Sequence, residues 1–573
     1  METSVDALRR QLRVAVDECS ARGLVFAAKW AAEQLCSLPT GPAEPAAASG
    51  AGAEELSETA GRWAQLDSEE RDQLSLAKCL FDLREFERAA HGLQACRGPR
   101  AVFLRLYARL LGSERRKGEA GAAPAGGEAD RELQAIRDEL EAADAADDID
   151  AFGLFLLAKT YRVLGQRGEA RAACLRSVRQ FEYNWSAWQL LESCVDAGRQ
   201  PGERLALELA GTGWMRHAFM AQLLVEQAGA GDQDFAVHHR VLEQLLPHSR
   251  FVAGLRAVRR YSMREFEDAA QLFAQLQRSD PYALELSDIH SNILYVLEDR
   301  ARLGALAHRC AELDRFRPET CCVIGNYYSL RREHEKAVGY FQRALQLDSK
   351  YLAAWTLMGH EFIEMKNTVA AVDAYRHAVE VDERDYRAWY GLGQTYELLN
   401  MAHYACSYYM RAAALRPYDS RMWCALGSCY ESSGQRAQAV ESYRRALLGT
   451  AESEAIAIAR LARLHEDSGE RPRAAYYYQL LVEHAIKNGG ALAAAGDAGL
   501  AAGPAAHASA GSGGQQDELA AACLFLAAFE HDRGNAHVAQ RYLAQIVDGA
   551  SSGGASQLRV EEAKAMMRAI TSE

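Results

Sequence analysis

The sequence predicts an all-α fold, a solenoid in which one helical hairpin is repeated along the chain. Three observations lead to this prediction. The chain repeats itself every 34 residues between Pro318 and Ser453, a period typical of stacked helical hairpins. Within each repeat, large residues recur three or four positions apart, as they do on one face of a helix. Proline, which breaks helix interiors, occurs only 12 times in 573 residues.

Four consecutive blocks, starting at residues 318, 352, 386 and 420, align without a gap. Position 8 is glycine in every block, positions 11 and 24 are aromatic, and positions 20 and 27 are alanine. Position 4 is tryptophan in three blocks, as Trp355, Trp389 and Trp423. Small residues at positions 8 and 20 allow two helix backbones to approach closely, and the aromatic residues fill the space between hairpins. This is the tetratricopeptide signature, and it predicts a right-handed superhelical solenoid.

Weaker copies of the repeat extend the array in both directions. Blocks starting near residues 70, 101 and 151 precede the strong blocks, and two more keep the 34-residue frame between Arg250 and Arg317. Ala- and Gly-rich stretches at 39–56, 112–130 and 488–514 read as flexible insertions. We therefore predict an N-terminal region of degenerate repeats over 1–247, a strong array over 250–483, a flexible insertion over 488–514, and a terminal repeat with a capping helix over 517–573.

Composition and charge favour protein partners. The apolar fraction of 49% and the charged fraction of 25% are those of an ordinary soluble protein. A net charge of -13 argues against nucleic acid or an anionic membrane as the main partner. We find no apolar run long enough for a transmembrane helix and no secretory signal, so we expect an intracellular protein. The 13 cysteines are scattered and form no C-x-x-C pair, so we expect buried, reduced thiols.

A search for catalytic or metal-binding motifs returns no candidate. The phosphate loop, the H-E-x-x-H helix and the G-x-S-x-G elbow are absent from the sequence. His238 and His239 are adjacent, which places them about 100° apart on a helix and favours a surface role over metal binding. Cys424 and Cys429 are spaced for packing rather than for joint ligation. We predict no enzymatic activity, no cofactor and no metal.

The candidate binding surface is the inner face of the solenoid. Positions 2, 5, 9 and 12 of the first helix in each block, and residues near them, should face this groove. The candidates for contact with an extended peptide are Asn326, His360, Glu361, Tyr390, Gln394 and Glu397, with Arg421 and Glu431 beside them. Amides, carboxylates and a tyrosine suit a peptide backbone and arginine side chains. For any single residue, a merely solvated face is an equal alternative.

Several strings extend this prediction to a known family. The segments RPETCCVIGNYYSLR, AWTLMGHEFIEMKNT and RDYRAWYGLGQTYELL resemble subunit eight of the anaphase-promoting complex, a family of tetratricopeptide proteins. The similarity runs from Arg250 to about Tyr443, and GLVFAAKWAAEQL near the N-terminus is similar to the opening helices of that family. The resemblance implies a non-catalytic scaffold subunit of a cullin–RING ubiquitin ligase that acts in mitosis and cell division, in the nucleus and cytoplasm.

The resemblance also implies partners. Family members form homodimers through their N-terminal repeats and stack with other tetratricopeptide and scaffold subunits of the complex. Their C-terminal groove receives a short Arg-containing motif of a WD40-propeller coactivator. Here an arginine of the guest would pair with Glu361, and Asn326 would bond the guest backbone. Because none of the 12 prolines follows Ser or Thr, direct regulation by proline-directed kinases is in doubt.

Two other classes of protein remain as alternatives. A tetratricopeptide co-chaperone or adaptor would bind the peptide tails of other proteins through Lys or Arg at position 5. This chain has Cys322, Thr356, Tyr390 and Cys424 at that position, which disfavours that function. An enzyme bearing a repeat arm would need a catalytic domain of roughly 100–200 further residues, and no stretch outside the repeats is long enough.

Overall fold

A computed structural model describes residues 5–38, 58–120, 128–195, 208–209, 212–226, 232–448, 454–487, 512–550 and 557–572. Within these ranges every regular element is a helix, so the predicted all-α tetratricopeptide solenoid is confirmed. None of the helices in the described ranges is long and apolar enough to cross a membrane. The insertion predicted at 39–56 lies outside the described residues, as does that at 488–514 up to residue 511.

The helices group into two compact units, of which the first comprises Met1–Glu226 and Ala230–Arg256. Its helices are α1 (Val5–Ala21), α2 (Val25–Ser37), α3 (Glu58–Glu69), α4 (Arg71–Asp82), α5 (Phe86–Gly92), α6 (Pro99–Ala120), α7 (Glu128–Ala145), α8 (Ala151–Val163), α9 (Arg167–Gln180), α10 (Trp185–Cys194), α11 (Met215–Glu226) and α12 (Asp232–Leu245). The helix α13 (Arg250–Ser262) follows.

The second unit runs from Ala257 to Glu573 and includes Gln227–Gly229. Its helices are α14 (Phe266–Ser279), α15 (Ser287–Val296), α16 (Arg300–Leu313), α17 (Pro318–Leu330), α18 (His334–Leu347), α19 (Leu352–Glu364), α20 (Thr368–Val381), α21 (Tyr386–Leu398), α22 (Ala402–Leu415), α23 (Ser420–Ser432), α24 (Arg436–Ala446), α25 (Glu454–Asp467), α26 (Arg471–Lys487), α27 (Ser512–Asp532), α28 (Ala536–Ala550) and α29 (Gln557–Ser572).

One predicted break in the array is wrong. The stretch 112–130 was expected to be a flexible insertion, but α6 continues to Ala120 and α7 begins at Glu128. The helix is maintained because its polar end pairs with neighbouring acids: Arg116 contacts both Glu87 and Glu132. The prediction is therefore wrong for 112–120 and for 128–130, and its middle part, 121–127, lies outside the described residues.

The turn between the two helices of a hairpin recurs at a fixed position. Position 15 has positive φ in each strong block, at Arg332, Lys366, Asn400 and Gly434, with values of 62, 59, 56 and 73°. A left-handed residue closes a helix C-terminus and lets the chain reverse. The two preceding blocks repeat the feature at Arg264 and Glu298, so the same register holds from residue 250 onward.

The tryptophans at position 4 join each hairpin to the one before it. The indole N–H groups of Trp355, Trp389 and Trp423 donate to the backbone carbonyl six residues earlier, at 3.0, 2.8 and 2.7 Å. Each acceptor lies in the connection that leaves the preceding hairpin. The indole N–H ties the first turn of each first helix to this connection, which a large side chain without a donor could not do.

The first helix of each hairpin lies on the inner side of the array in the second unit. First helices of neighbouring hairpins, such as α15 with α17 and α19 with α21, pack more closely on each other than the second helices do. The array therefore curves with its first helices inward. The second helices α18, α20, α22 and α24 form the outer face.

The cysteines follow the prediction in part. All 13 are free thiols, and most are buried. Cys36 and Cys79 are exposed, so the expectation of buried thiols is wrong for these two. Each lies on the solvent side of a helix that packs through alanine and aromatic residues. Cys429, by contrast, is fully buried and lies 2.9 Å from Cys406, sulfur to sulfur.

Candidate peptide groove

The inner face of the second unit is built from the first helices α15, α17, α19, α21 and α23. Polar side chains from successive turns of these helices line the bottom of the groove, which we call its floor. Most of these side chains are buried, and hydrogen bonds link one helix to the next. Each predicted groove residue is held by a different neighbour.

Asn326, on α17, lies at the bottom of this floor and is 3% exposed. Its Nδ2 donates to Ser291 Oγ at 2.9 Å and to Asn292 Oδ1 at 2.7 Å, both on α15. These two bonds fix the orientation of the amide. The other end of the side chain, Oδ1, is an acceptor that a peptide N–H could use.

Glu361, on α19, is also buried, at 5% exposed. Its Oε1 accepts from Ser329 Oγ at 2.6 Å, and His334 Nδ1 lies 2.8 Å from its Oε2. Burial raises the pKa of Glu361, although the bonds from Ser329 and His334 oppose the rise. The carboxyl group is therefore held in a fixed position in surroundings where a further cation would be favourable.

His360 precedes Glu361 and turns toward the second helix of its own hairpin. The Tyr375 hydroxyl lies 2.6 Å from its Nδ1. Burial, helped by the nearby charge of Arg387, lowers the pKa of His360 to about 4. His360 is therefore neutral at pH 7, and in this role it orients the buried Tyr375.

Tyr390 and Gln394 lie one turn apart on α21. The ring of Tyr390 packs on Tyr409 with centroids 5.4 Å apart, and burial raises the pKa of Tyr390 to about 12. Gln394 is 8% exposed, and its Oε1 has no hydrogen-bond partner in the structure. A buried amide oxygen without a partner costs free energy, which a hydrogen-bond donor placed beside this atom would relieve.

Glu397 and Glu431 serve the hairpin itself. Glu397 accepts from the Tyr409 hydroxyl at 2.7 Å, and Glu431 accepts from the Tyr443 hydroxyl at 3.0 Å. A later hairpin repeats the pair, with Tyr478 and Glu466 at 2.6 Å. A glutamate at position 12 thus accepts a hydrogen bond from the buried tyrosine at position 24. This bond within the hairpin explains why both residues occur there, and no ligand is needed to explain them.

Two arginines at position 2, Arg387 and Arg421, also lie in the groove, and only Arg421 was named among the predicted residues. Arg421 binds Asp419 through Nη2–Oδ2 at 2.8 Å and Nε–Oδ1 at 3.1 Å, and Arg387 binds Asp385 at 3.1 Å. Both aspartates also cap the N-termini of α23 and α21. The recurring signal was an arginine at position 2 preceded two residues earlier by aspartate.

Tyr261, at the end of α13, faces the same arginines. Burial raises the pKa of its hydroxyl to about 12, and the charges of Arg387 and Arg421 oppose the rise. Asp288 of α15 accepts from the Tyr351 hydroxyl at 2.7 Å. Together these residues make a floor with carboxylate and amide acceptors on α17 and α19 and with cations on α21 and α23.

The histidines of the first unit differ from the prediction. His239, expected at the surface, is 8% exposed and its Nε2 lies 3.2 Å from the carbonyl of Val252. His238 meets His217, with Nδ1 atoms 2.8 Å apart. The polar ring is buried because packing on Phe235 and a backbone partner compensate for its loss of water. Among the described residues, no group of three or more His, Cys, Asp or Glu side chains could hold a metal ion.

Comparison with known proteins supports this description of the repeats. A family model for a tetratricopeptide repeat matches residues 318–351, 352–385, 386–419 and 420–448, the same frame as the blocks above. A solved structure, titled crystal structure of the APC/C hetero-tetramer Cut9-Hcn1, superimposes with a TM-score of 0.52 at 14% identity and covers 89% of this chain and 92% of that one. At that identity the likeness shows the fold alone.

Sequence relatives identify the family. The Anaphase-promoting complex subunit 8 of Arabidopsis thaliana is 38% identical over 402 residues, which cover 64% of this chain and 67% of that protein. The Cell division cycle protein 23 homolog of Homo sapiens is 39% identical over 312 residues, covering 53% of this chain and 49% of the human protein. A family model described as Anaphase promoting complex subunit 8 / Cdc23 matches residues 7–257. The chain therefore belongs to the anaphase-promoting complex subunit 8 / Cdc23 family.

Proposed function

We propose that this chain is a non-catalytic scaffold subunit of an anaphase-promoting complex, a ubiquitin ligase of the cell-division cycle. Membership of the subunit 8 / Cdc23 family carries the proposal. The architecture supports it, because a tetratricopeptide array presents long continuous surfaces to other proteins. The polar groups of the inner floor position one another through hydrogen bonds, as Asn326 and Glu361 do, which is what a binding surface requires.

The partners follow from this proposal. The outer and edge surfaces contact other tetratricopeptide and scaffold subunits of the complex, and the region 1–247 forms a homodimer. The protein acts in the nucleus and cytoplasm of dividing cells. The groove of the second unit receives an extended, Arg-containing segment of a WD40-propeller coactivator.

Glu361 is the residue on which the peptide proposal depends. Its carboxylate already accepts from Ser329 and lies beside His334, so the side chain loses little conformational entropy when a peptide binds. A guest guanidinium would add a positive charge beside this buried group, and hydrogen bonds to charged groups are the strong ones. Asn326 Oδ1, one helix away, would accept from the guest backbone.

A peptide titration tests the groove. A fluorescent peptide carrying the Arg-containing coactivator motif is titrated with the full chain and with Glu361→Gln and Asn326→Ala variants. Loss of a hydrogen bond to a charged group costs about 1.5–3 kcal/mol, so Glu361→Gln should weaken binding about 10- to 100-fold. Glu466→Gln is the matched control, because Glu466 likewise accepts a hydrogen bond from a hydroxyl group, that of Tyr478, but lies in a later hairpin. Equal affinity for all variants would refute the assigned groove residues.

The co-chaperone alternative receives no support from the groove geometry. At position 5, Cys322 and Thr356 are buried at 0% and 4% exposed, and neither supplies a cation. The arginines of the groove are at position 2 instead, and each is paired with an aspartate.

A further inference from the structure

The outer face of α22 differs from those of the neighbouring second helices. Met401, Tyr404 and Met410 are 49%, 60% and 47% exposed, and Ser407 and Arg411 lie beside them on the same face. We call these five residues the α22 patch. Met401 is the N-cap of α22. Tyr404, Ser407 and Arg411 follow at intervals of three or four residues on the exposed side of the helix, away from the buried Ala405 and Tyr409, and Met410 lies beside Ser407.

Packing of the hairpin does not require this apolar surface. Tyr404 occupies position 19 of its block, where the other strong blocks have Lys336, Ala370 and Gln438. Met410 occupies position 25, where they have Gln342, Arg376 and Arg444. The same fold is built with polar or small residues at both positions, so folding does not require the large apolar residues of α22. Clustered exposed apolar residues of this kind mark interaction sites.

The patch is also held in a fixed arrangement. Tyr404 packs on Tyr396 with centroids 5.6 Å apart, and Tyr396 packs on Tyr408 at 5.2 Å. Arg376 donates to the Tyr396 hydroxyl at 2.9 Å, and Arg411 lies over Trp389 at 5.6 Å. Aromatic residues, methionine and arginine are the residues enriched in protein interfaces. Side chains already fixed in place lose little entropy when a partner binds.

Charge identifies the kind of partner. The helix α22 has no carboxylate. Together, α20, α22 and α24 expose five arginines and three carboxylates: Arg376, Arg411, Arg436, Arg444 and Arg445 against Asp373, Glu380 and Glu441. Two of these carboxylates are engaged locally, Glu380 with His377 and Glu441 with Arg445. This outer face is therefore positive, although the whole chain has a net charge of -13.

We propose that the α22 patch binds an acidic segment of another protein, whose apolar side chains contact Tyr404 and Met410 while its carboxylates face the surrounding arginines. The apolar contacts supply affinity, and the charges supply orientation and rate of association. The site lies on the outer helices, so it is separate from the peptide groove of the first helices, and its test does not require that the partner belong to the complex proposed above.

Site-specific cross-linking tests the proposal. The photo-reactive residue p-benzoylphenylalanine replaces Tyr404 in the full chain in living cells, and the cross-linked segment is identified by mass spectrometry. The same residue at Gln438, the equivalent position of the next block, is the background control. We expect cross-links from position 404 to a segment with net negative charge and large apolar residues. Cross-links no stronger than those from position 438, to a neutral or basic segment, or to a second copy of this chain would overturn the proposal.

A titration with a synthetic peptide of the cross-linked segment separates the contribution of the apolar contacts from that of the charges. Tyr404→Gln with Met410→Gln installs the neutral residues that the fourth and first blocks use at these positions, Gln438 and Gln342, so the hairpin should fold normally and the charge of the patch is unchanged. We expect affinity to fall at least about tenfold. Arg411→Glu should also weaken binding and reduce its dependence on salt, whereas Leu448→Gln, an exposed residue outside the patch, should have no effect. Unchanged affinity in the double variant would refute the site.

Discussion

The two units of the chain pack their helices by different means. In the second unit, a glycine at position 8 faces an aromatic ring at position 24 of the same hairpin, repeat after repeat. A Cβ on Gly359 would lie 2.6 Å from the Tyr375 ring, and one on Gly393 would lie 2.5 Å from the Tyr409 ring. In the first unit, the block starting at Ala151 has Ala158 and Cys174 at these positions, both fully buried.

The first unit depends instead on contacts between residues far apart in sequence. Trp30 stacks on Trp185 and on Trp214, with centroids 4.4 and 6.0 Å apart. Arg22, 4% exposed, pairs with Glu18 and with Asp150 at 2.8 Å, and lies 4.1 Å from the Phe152 ring. A regular repeat therefore packs through one pair of residues, a glycine against an aromatic ring, that recurs in every hairpin. A degenerate repeat instead needs a different set of contacts in each hairpin.

Removal of the ring from a glycine–aromatic pair should have the largest effect. Tyr375 is fully buried, and its ring lies against both Gly359 and Gly391. Tyr375→Ala should lower the free energy of unfolding by about 3–5 kcal/mol, because it leaves a cavity. Hydrogen exchange followed by mass spectrometry should show lost protection in α19–α21 and none in the first unit. A loss below about 1 kcal/mol would contradict the assigned role of the ring.

The matching change in the first unit removes a buried charge. Arg22→Ala removes the arginine that pairs with Asp150 and leaves Glu18 with Arg100 as its remaining cation, so it should destabilise by about 3 kcal/mol. The same exchange experiment should now show lost protection in α1, α2 and α8 while α17–α24 keep theirs. Loss of protection in both units together would mean that they do not unfold independently.

Addition of a methyl group sharpens the comparison. Gly391→Ala places a Cβ against the Tyr375 ring, so overpacking should cost about 1–3 kcal/mol. Gly339→Ala, on α18, is the matched control because nothing lies within 4 Å of the added atom. There the higher helix propensity of alanine should stabilise by about 0.5–1 kcal/mol. Opposite signs in chemical denaturation support the account, and stabilisation by both changes would contradict it.

The last destabilising effect that we predict is a pH dependence. His290 is buried on Phe273, and burial, helped by Arg309 and Arg302, lowers its pKa from 6.5 to about 4. Below pH 6.5 the unfolded chain takes up a proton that the native chain does not accept until about pH 4, so stability falls over this window. At pH 5 the loss should be about 1–2 kcal/mol. His290→Gln should remove this part of the slope, and an unchanged slope between pH 7 and 5 would contradict it.

The regular array could be predicted closely from the sequence. The helix α17 occupies positions 1–13 and α18 positions 17–30 of the block that starts at Pro318, and the family model divides the chain in the same frame. Local periodicity carries this information, since each hairpin packs mainly on its neighbours. Contacts of the first hairpin, such as Gln11 with Tyr183 and Gln34 with Ser249, join distant residues and leave no periodic signal.

The groove was predictable only in outline. Asn326 and Glu361 lie on the first helices as expected, but their bonds to Asn292 and Ser329 depend on how neighbouring helices pack. The role of Glu397 was open to sequence analysis, because glutamate at position 12 and tyrosine at position 24 recur together. The assignment of a guest arginine to Glu361 stays a prediction.

The most direct test of the proposed function is purification of the tagged chain from dividing cells, followed by mass spectrometry and a ubiquitylation assay. The wild-type chain and the Asn326→Ala/Glu361→Gln variant are compared. We predict that both recover the same cullin-like, RING and tetratricopeptide subunits, while the variant recovers less coactivator and supports less ubiquitylation. Recovery of chaperones alone, or of no stable partner, with the wild-type chain would contradict the scaffold function.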